Sequence, residues 1–433
     1  EKCMDKMADV LGRAGAWCGQ NKYLSAIKNA FQNFMPLTIA GAIGVLWCNV
    51  LVNDQTGLGL FFKPIMALDF LNPAFQAVNF CTISCITVGI TLGIAQEIGI
   101  WNMGAEKAGY IPGLVGLAAW LSVTNTSHMV DGAKEAFTGV AGNELGATGL
   151  FTGMIIGVLS VELFCFFEKQ DALKIKMPEQ VPPGVARAFE VLVPATITLI
   201  ITACIGSACY NLTGLYLNDV IKNGVQGPLG AVGATIPGVM IIYLVIMLFW
   251  LVGIHGNNML SAVKEALFTP LALENVEAFN KGETPKNIIN MYALQMWGEF
   301  GGSGVTIGLV IAIMIFGKRE DNKAIATLSL VPGLFNINET VTFGIPMVLN
   351  PILGIPFVVA PLITIIIGYV LTVIGFCPVA CLTVPWTTPP LVFGFLATGA
   401  NIMGAVTQAI LIVVSTVIYT PFLIAYEKYQ NKQ

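Results

Sequence analysis

Charge is what this chain has least of. Only 11% of its 433 residues are Asp, Glu, Lys or Arg, against roughly 25% in an average soluble domain. A soluble protein of this length could bury a large core, but it could not cover its surface with so few charges. The formal net charge of −4, with no basic stripe, argues against a nucleic-acid partner. There is no GxxxxGK[ST] phosphate loop, so no ATP-driven engine is carried here. No span is rich in arginine, which excludes a voltage sensor. The first 33 residues have charges at intervals and no continuous apolar core. A signal peptide is therefore not expected, and insertion should rely on internal spans.

Ten cysteines are present, but most lie in apolar runs, where Cys behaves as a small hydrophobe. Cys377 and Cys381 are four apart without a His or acid at metal-site spacing, so no metal and no cofactor are expected.

What the chain has in abundance is apolar sequence: 55% of residues are hydrophobic and the mean hydropathy is +0.77. Apolar runs approach the roughly 20 residues needed to cross a bilayer, at about 34–52, 74–96, 109–123, 148–167, 189–210, 233–254, 304–316, 355–376 and 402–424. The fold class expected is an all-α polytopic membrane protein. It should have about ten transmembrane helices, two re-entrant hairpins and amphipathic helices.

Residues 1–33 are expected to form an amphipathic cytoplasmic segment, with Lys6, Arg13, Lys22 and Lys28 available to headgroups. Lys and Arg concentrate there and in the loop 168–190, whereas 53–73 and 124–147 carry only Lys63 and Lys134. This bias places the N-terminus on the cytoplasmic side, and Lys428 and Lys432 place the C-terminus there too. Segment 34–211, with about five plain spans, is expected to be a scaffold and dimerisation domain. Segment 212–433 is broken by Gly, Pro and Asn and is expected to bind and move a substrate. Its re-entrant hairpins are expected near 324–350 and 377–400, because non-helical backbone at membrane depth must be buried in protein or line a watery cavity. The stretch 256–290 carries Lys264, Lys281 and Lys286 and reads as a cytoplasmic loop, although its topology does not parse cleanly.

Few residues could carry chemistry. In "LFNINETVTFGIPMVLNP" (334–351), Glu339 is an acid in apolar and amide surroundings. An ionisable group at membrane depth is costly and by default marks a site; the alternative is a structural carboxylate, which the broken surroundings disfavour. Asn336 and Asn338 either cap a half-helix or bind a polar ligand. In "FWLVGIHGNNML", His255 ends an apolar run between Gly253 and Gly256 and is followed by Asn257 and Asn258; it is a site residue or an interfacial one. Trp386 lies beside Thr387, Thr388 and three prolines, and either stacks on an apolar sugar face or belongs to an interfacial belt. "QMWGEFGGSG" (295–304) sets Gln295, Trp297 and Glu299 before a glycine cluster and either lines the same cavity or is a flexible turn, the turn being preferred. Together the acid, histidine, amides and tryptophan describe a neutral polyhydroxylated ligand.

"GIHGNNML", "LFNINETVTFGIPMVLNP", "VPWTTPP" and "KIKMPEQVPPGVARAFEVLVPA" resemble the membrane (IIC) component of the lactose/cellobiose branch of the sugar phosphotransferase systems. The similarity runs over nearly the whole chain. It implies a multi-pass protein of a bacterial cell membrane and a homodimer joined through the first spans. It implies a disaccharide of the cellobiose or diacetylchitobiose type, moved by an elevator-like step and phosphorylated on its 6-hydroxyl by a cytoplasmic phosphorylated IIB subunit. Transferase activity then arises only together with that partner. The resemblance assigns Glu339 and His255 as catalytic residues. It assigns Glu339, His255, Asn257, Asn258, Asn338 and Trp386 to sugar binding. Thr340 stands where the motif more often has Pro after the glutamate. A proton-coupled secondary sugar transporter using Glu339 is the alternative.

Overall fold

The computed structural model describes residues 2–54, 58–129, 135–178 and 180–431, with side chains from residue 10 onward. Lys134, Lys432 and the side chain of Lys6 lie outside the described residues. The chain is helical almost throughout. The strands among the described residues are Ser127–His128 and Phe137–Thr138, paired antiparallel in one small hairpin.

Among the described residues, six helical stretches are long and apolar enough to cross a membrane: Lys22–Leu51, Lys63–Met103, Ala147–Glu168, Pro183–Thr213, Gly354–Val373 and Ile402–Gln430. Two bent pairs raise the number to eight if each is one span: Leu217–Gly233 with Ile236–Leu251, bent by 75°, and Met291–Val305 with Ile307–Phe316, bent by 59°. Ile111–Val123 is apolar but shorter. The N-terminal amphipathic stretch is two helices, Lys2–Gln20 and Lys22–Leu46, and the second continues through Pro36 across residue 33.

The described residues divide into two compact units. One comprises Gln20–Leu37 and Phe80–Leu229. Here Ile86–Met103, Ile111–Val123 and Ala147–Glu168 pack through small residues, the usual solution where helices gain no hydrophobic drive from apolar lipid. A Cβ on Gly116 would lie 2.3 Å from that of Ala95. The buried Glu168 carboxylate pairs with Lys107 at 2.8 Å and Arg187 at 3.0 Å. The Arg187–Glu168 pair ties the start of Pro183–Thr213 to the end of Ala147–Glu168, and Arg187 also reaches Glu190 in its own helix at 2.9 Å.

The other unit comprises Glu1–Gly19, Thr38–Asn79 and Gly230–Gln433. Its core is aromatic, with Tyr243, Trp250, Phe268, Trp297, Phe300, Phe357 and Tyr419 buried. Around that core the helices are short and interrupted. Thr235 caps Ile236–Leu251 through Gly238 N at 3.2 Å, with Pro in its first turn, and so starts the helix at the bend. Glu320–Leu334 ends before the six-residue helix Glu339–Gly344, and 374–391 contain no helix before Val392–Ala397. The five non-glycine residues with positive φ among the described residues lie in this unit: Val305, Asn336, Leu349, Leu391 and Ala400.

Most of 256–290 is not a loop: it forms the helices Gly256–Met259 and Ser261–Asn280, with 281–290 non-helical after them, and Lys264 is buried. The physical reason is an ion pair with Glu299, a partner invisible to local sequence.

Candidate functional site

The site is assembled where three interrupted segments of the second unit meet a glycine turn. The first segment follows Ile236–Leu251, which stops at Gly253 in the left-handed region. His255 is then the N-cap of Gly256–Met259, its Nδ1 accepting the Asn258 N–H at 3.3 Å. With Nδ1 an acceptor, the proton of the neutral ring is on Nε2. The imidazole rests on the Trp250 ring at 4.4 Å between centroids.

The second segment begins at Asn336. Pro332 two residues from the end of Glu320–Leu334 precedes a left-handed turn at Asn336, φ 62°. Asn336 N bonds Gly333 O at 3.0 Å and Ile337 N bonds Pro332 O at 3.0 Å. That pair of bonds is a Schellman ending, which needs a left-handed residue. Asn338 follows at the N-cap position and Glu339 opens the next helix.

These two segments bring Glu339 to His255: Nε2 lies 3.8 Å from Oε1, and both side chains are partly exposed, 39% and 48%. The separation is too long for a direct hydrogen bond. One hydroxyl oxygen at 2.8 Å from each atom would bridge them with an angle of about 85°. The pair can therefore hold a single hydroxyl between a donor and a carboxylate acceptor.

Residues 299–305 form the floor. Gly301, Gly302 and Gly304 all have φ between 72° and 88°, conformations that glycine adopts without steric cost. Asn257 Nδ2 donates to Ser303 Oγ at 3.1 Å, and Asn338 Nδ2 donates to Ser303 O at 2.7 Å. Tyr419 and Ser415 hydroxyls hold Gly304 O at 2.7 Å and Val305 O at 2.9 Å. Glu299 is ion-paired to Lys264 and accepts from the Tyr243 hydroxyl at 2.7 Å. The stretch read as a flexible turn is thus buried and held by side chains from several elements, which bond the Gly301 N–H and the carbonyls of Ser303, Gly304 and Val305.

Of the six residues expected to bind sugar, the fold brings His255 and Glu339 together directly. Asn257 and Asn338 meet at Ser303; Asn338 is buried, and Asn257 Oδ1 is buried without a protein partner among the described residues. Asn258 is exposed and touches His255 through its backbone. Trp386 is 43% exposed and its carbonyl accepts from Asn336 Nδ2 at 2.5 Å. Sequence reasoning missed Lys264 and Ser303, and it set Glu299 aside as part of a turn. The signal available for Glu299 was its place at the head of the glycine cluster; for Lys264 there was none.

The chain matches the family model "Phosphotransferase system, EIIC" over residues 28–361. It is 33% identical to the oligo-beta-mannoside-specific EIIC component of Bacillus subtilis (strain 168), over 99% of this chain and 94% of that protein. It is 30% identical to the cellobiose-specific EIIC component of Lactococcus lactis subsp. lactis (strain IL1403), over 99% and 98%. Among solved structures it is similar to the transporter ChbC, the IIC component from the N,N'-diacetylchitobiose-specific phosphotransferase system. That match has a TM-score of 0.86 at 31% identity and covers 96% of this chain and 95% of that one. A helical, multi-pass architecture matched over nearly its whole length, together with a family match over most of the chain, means that this protein belongs to the EIIC family of the phosphotransferase system.

Proposed function

We propose that this EIIC protein binds a disaccharide of the cellobiose or diacetylchitobiose type and presents its 6-hydroxyl for phosphorylation by a cytoplasmic IIB partner. The carrying observation is the His255–Glu339 pair, 3.8 Å apart and partly exposed, spaced for one hydroxyl. In the reaction the sugar O–H bond breaks and its proton passes to Glu339. The oxygen forms the new bond to phosphorus, and the phosphoryl group leaves the sulfur of the partner's cysteine. His255 Nε2–H holds the hydroxyl in line. Asn257, through its unpartnered Oδ1, accepts a further sugar hydroxyl, and the exposed Trp386 supplies a stacking face.

Residues 212–433 serve as the substrate-binding domain in this reading, and 34–211 as the scaffold of a homodimer in a bacterial cell membrane. Every side chain assigned to the sugar lies between His255 and Trp386, which supports that division. Both termini face the cytoplasm, supported by the Lys and Arg bias of the loops. Transport proceeds by an elevator-like movement of the substrate domain.

Calorimetry of the purified protein against cellobiose, diacetylchitobiose and lactose tests the substrate class. Vesicles then separate the energy source. Phosphorylated disaccharide should accumulate only when phosphorylated IIB is inside; accumulation of free sugar driven by a pH gradient alone would replace this reading with proton coupling.

A further inference from the structure

Asn336 stands at a backbone position where glycine is the usual residue. It is the left-handed residue after Glu320–Leu334, with φ 62°, and a Schellman ending is most easily made by Gly. Its side chain is fully employed. Oδ1 accepts the Gly301 N–H at 2.7 Å, and Nδ2 donates to Trp386 O at 2.5 Å and Thr388 O at 3.1 Å. One amide has two N–H donors and one carbonyl, so little capacity remains for a ligand. These three bonds reach 35, 50 and 52 residues along the chain, and each ends on an interrupted segment that borders the site.

We propose that Asn336 is a positioning residue of the sugar site: it binds the glycine turn at Gly301 and the Trp386–Thr388 segment to the segment that carries Glu339. This rests on the proposed sugar-binding reading and deepens it. Glu339 is three residues on from Asn336 and begins the next helix. Trp386 contributes its own carbonyl to the network. The acid and the aromatic face are thereby held in one register.

Asn336→Gly is the informative variant, because it keeps the left-handed turn and removes only the side chain. Hydrogen exchange on the full chain in detergent should show the Gly301 amide exchanging about tenfold faster, the consequence of losing one ordinary hydrogen bond. Exchange at the wild-type rate overturns the proposal. Sugar affinity should fall about tenfold. In a Trp386→Ala background the further loss should be under about twofold, because contacting residues couple non-additively. Losses that multiply, or a Trp386→Ala protein that binds as wild type does, leave Asn336 nothing to act through and also overturn it. Should Asn336→Gly not fold, Asn336→Asp reads the other half: it keeps the Gly301 acceptor, tolerates the left-handed backbone and places a carboxylate against two carbonyl oxygens. It should then lose sugar affinity while Gly301 stays protected. A wild-type protein that binds none of the disaccharides sinks the proposed function, while Gly301 exchange still judges the tie itself.

Discussion

Nε2 of His255 lies 3.8 Å from Oε1 of Glu339, while Nδ1 of the same ring accepts the Asn258 amide at 3.3 Å. The second contact decides what the first can do. Because Nδ1 is held as an acceptor, the ring presents a donor to the carboxylate, and a hydroxyl entering between them meets one donor and one acceptor. In the proposed reaction the division of labour follows: the carboxylate takes the proton and the imidazole fixes the oxygen.

Glu339→Gln preserves shape and removes the proton acceptor. Sugar phosphorylation by the IIB partner should fall by about 100-fold or more, the usual contribution of a positioned general base. Sugar affinity should stay within about threefold, since Gln still accepts a hydroxyl hydrogen bond. The check is a phosphorylation assay beside calorimetry, with the assembly state monitored by size. Wild-type phosphorylation by the variant would make Glu339 structural.

For His255→Ala, binding should suffer first. The substitution removes one hydrogen bond to sugar, the helix N-cap and the contact with Trp250. A loss of about tenfold in affinity is expected. Calorimetry showing unchanged affinity removes His255 from the site.

The glycine turn offers a steric test. Gly302 has φ 88°, and a Cβ there would lie 2.7 Å from Cβ and Cγ of Asn338. Gly302→Ala combines a disfavoured backbone with that clash, so thermal unfolding should show a loss of about 1–3 kcal/mol. Asn338 would be driven off Ser303 O, and affinity should drop with stability. An unchanged melting temperature would mean that the turn yields without resistance.

An acid and a histidine in an oily chain advertise themselves, so Glu339 and His255 were legible as candidates from composition alone. Their approach to 3.8 Å was not, because 84 residues of tertiary folding separate them. The helical, membrane-crossing class followed from the length of the apolar runs. The bends at 217–251 and 291–316 were harder. Thr235 followed by Pro237 is a helix start that hydropathy smooths over, and the break after Gly301 is hidden in a cluster that reads as slack chain. Asn336 was readable only as a cap or a ligand, since its partners lie at Gly301, Trp386 and Thr388. Lys264 was read as a loop lysine because its ion-pair partner, Glu299, lies 35 residues away in sequence.

That lysine carries the last prediction. Lys264 and Glu299 side chains are only 7% and 16% exposed, and Tyr243 donates to the same carboxylate oxygen that receives the lysine. Removing one partner of such a pair strands a charge in poorly solvated surroundings, which costs more than the pair itself is worth. Lys264→Met should therefore lower unfolding stability by about 3 kcal/mol, and Glu299→Gln by a similar amount. Joining the two substitutions removes both charges of the pair, so the double variant should be more stable than either single one. Because Glu299 opens the turn that carries Gly301 and Ser303, sugar affinity should fall in both single variants and partly return in the double. Thermal unfolding and calorimetry on the four proteins measure both effects. Strictly additive losses would show that the two side chains do not act as a pair, and that the glycine turn is held by Asn336, Asn338, Ser415 and Tyr419 without them.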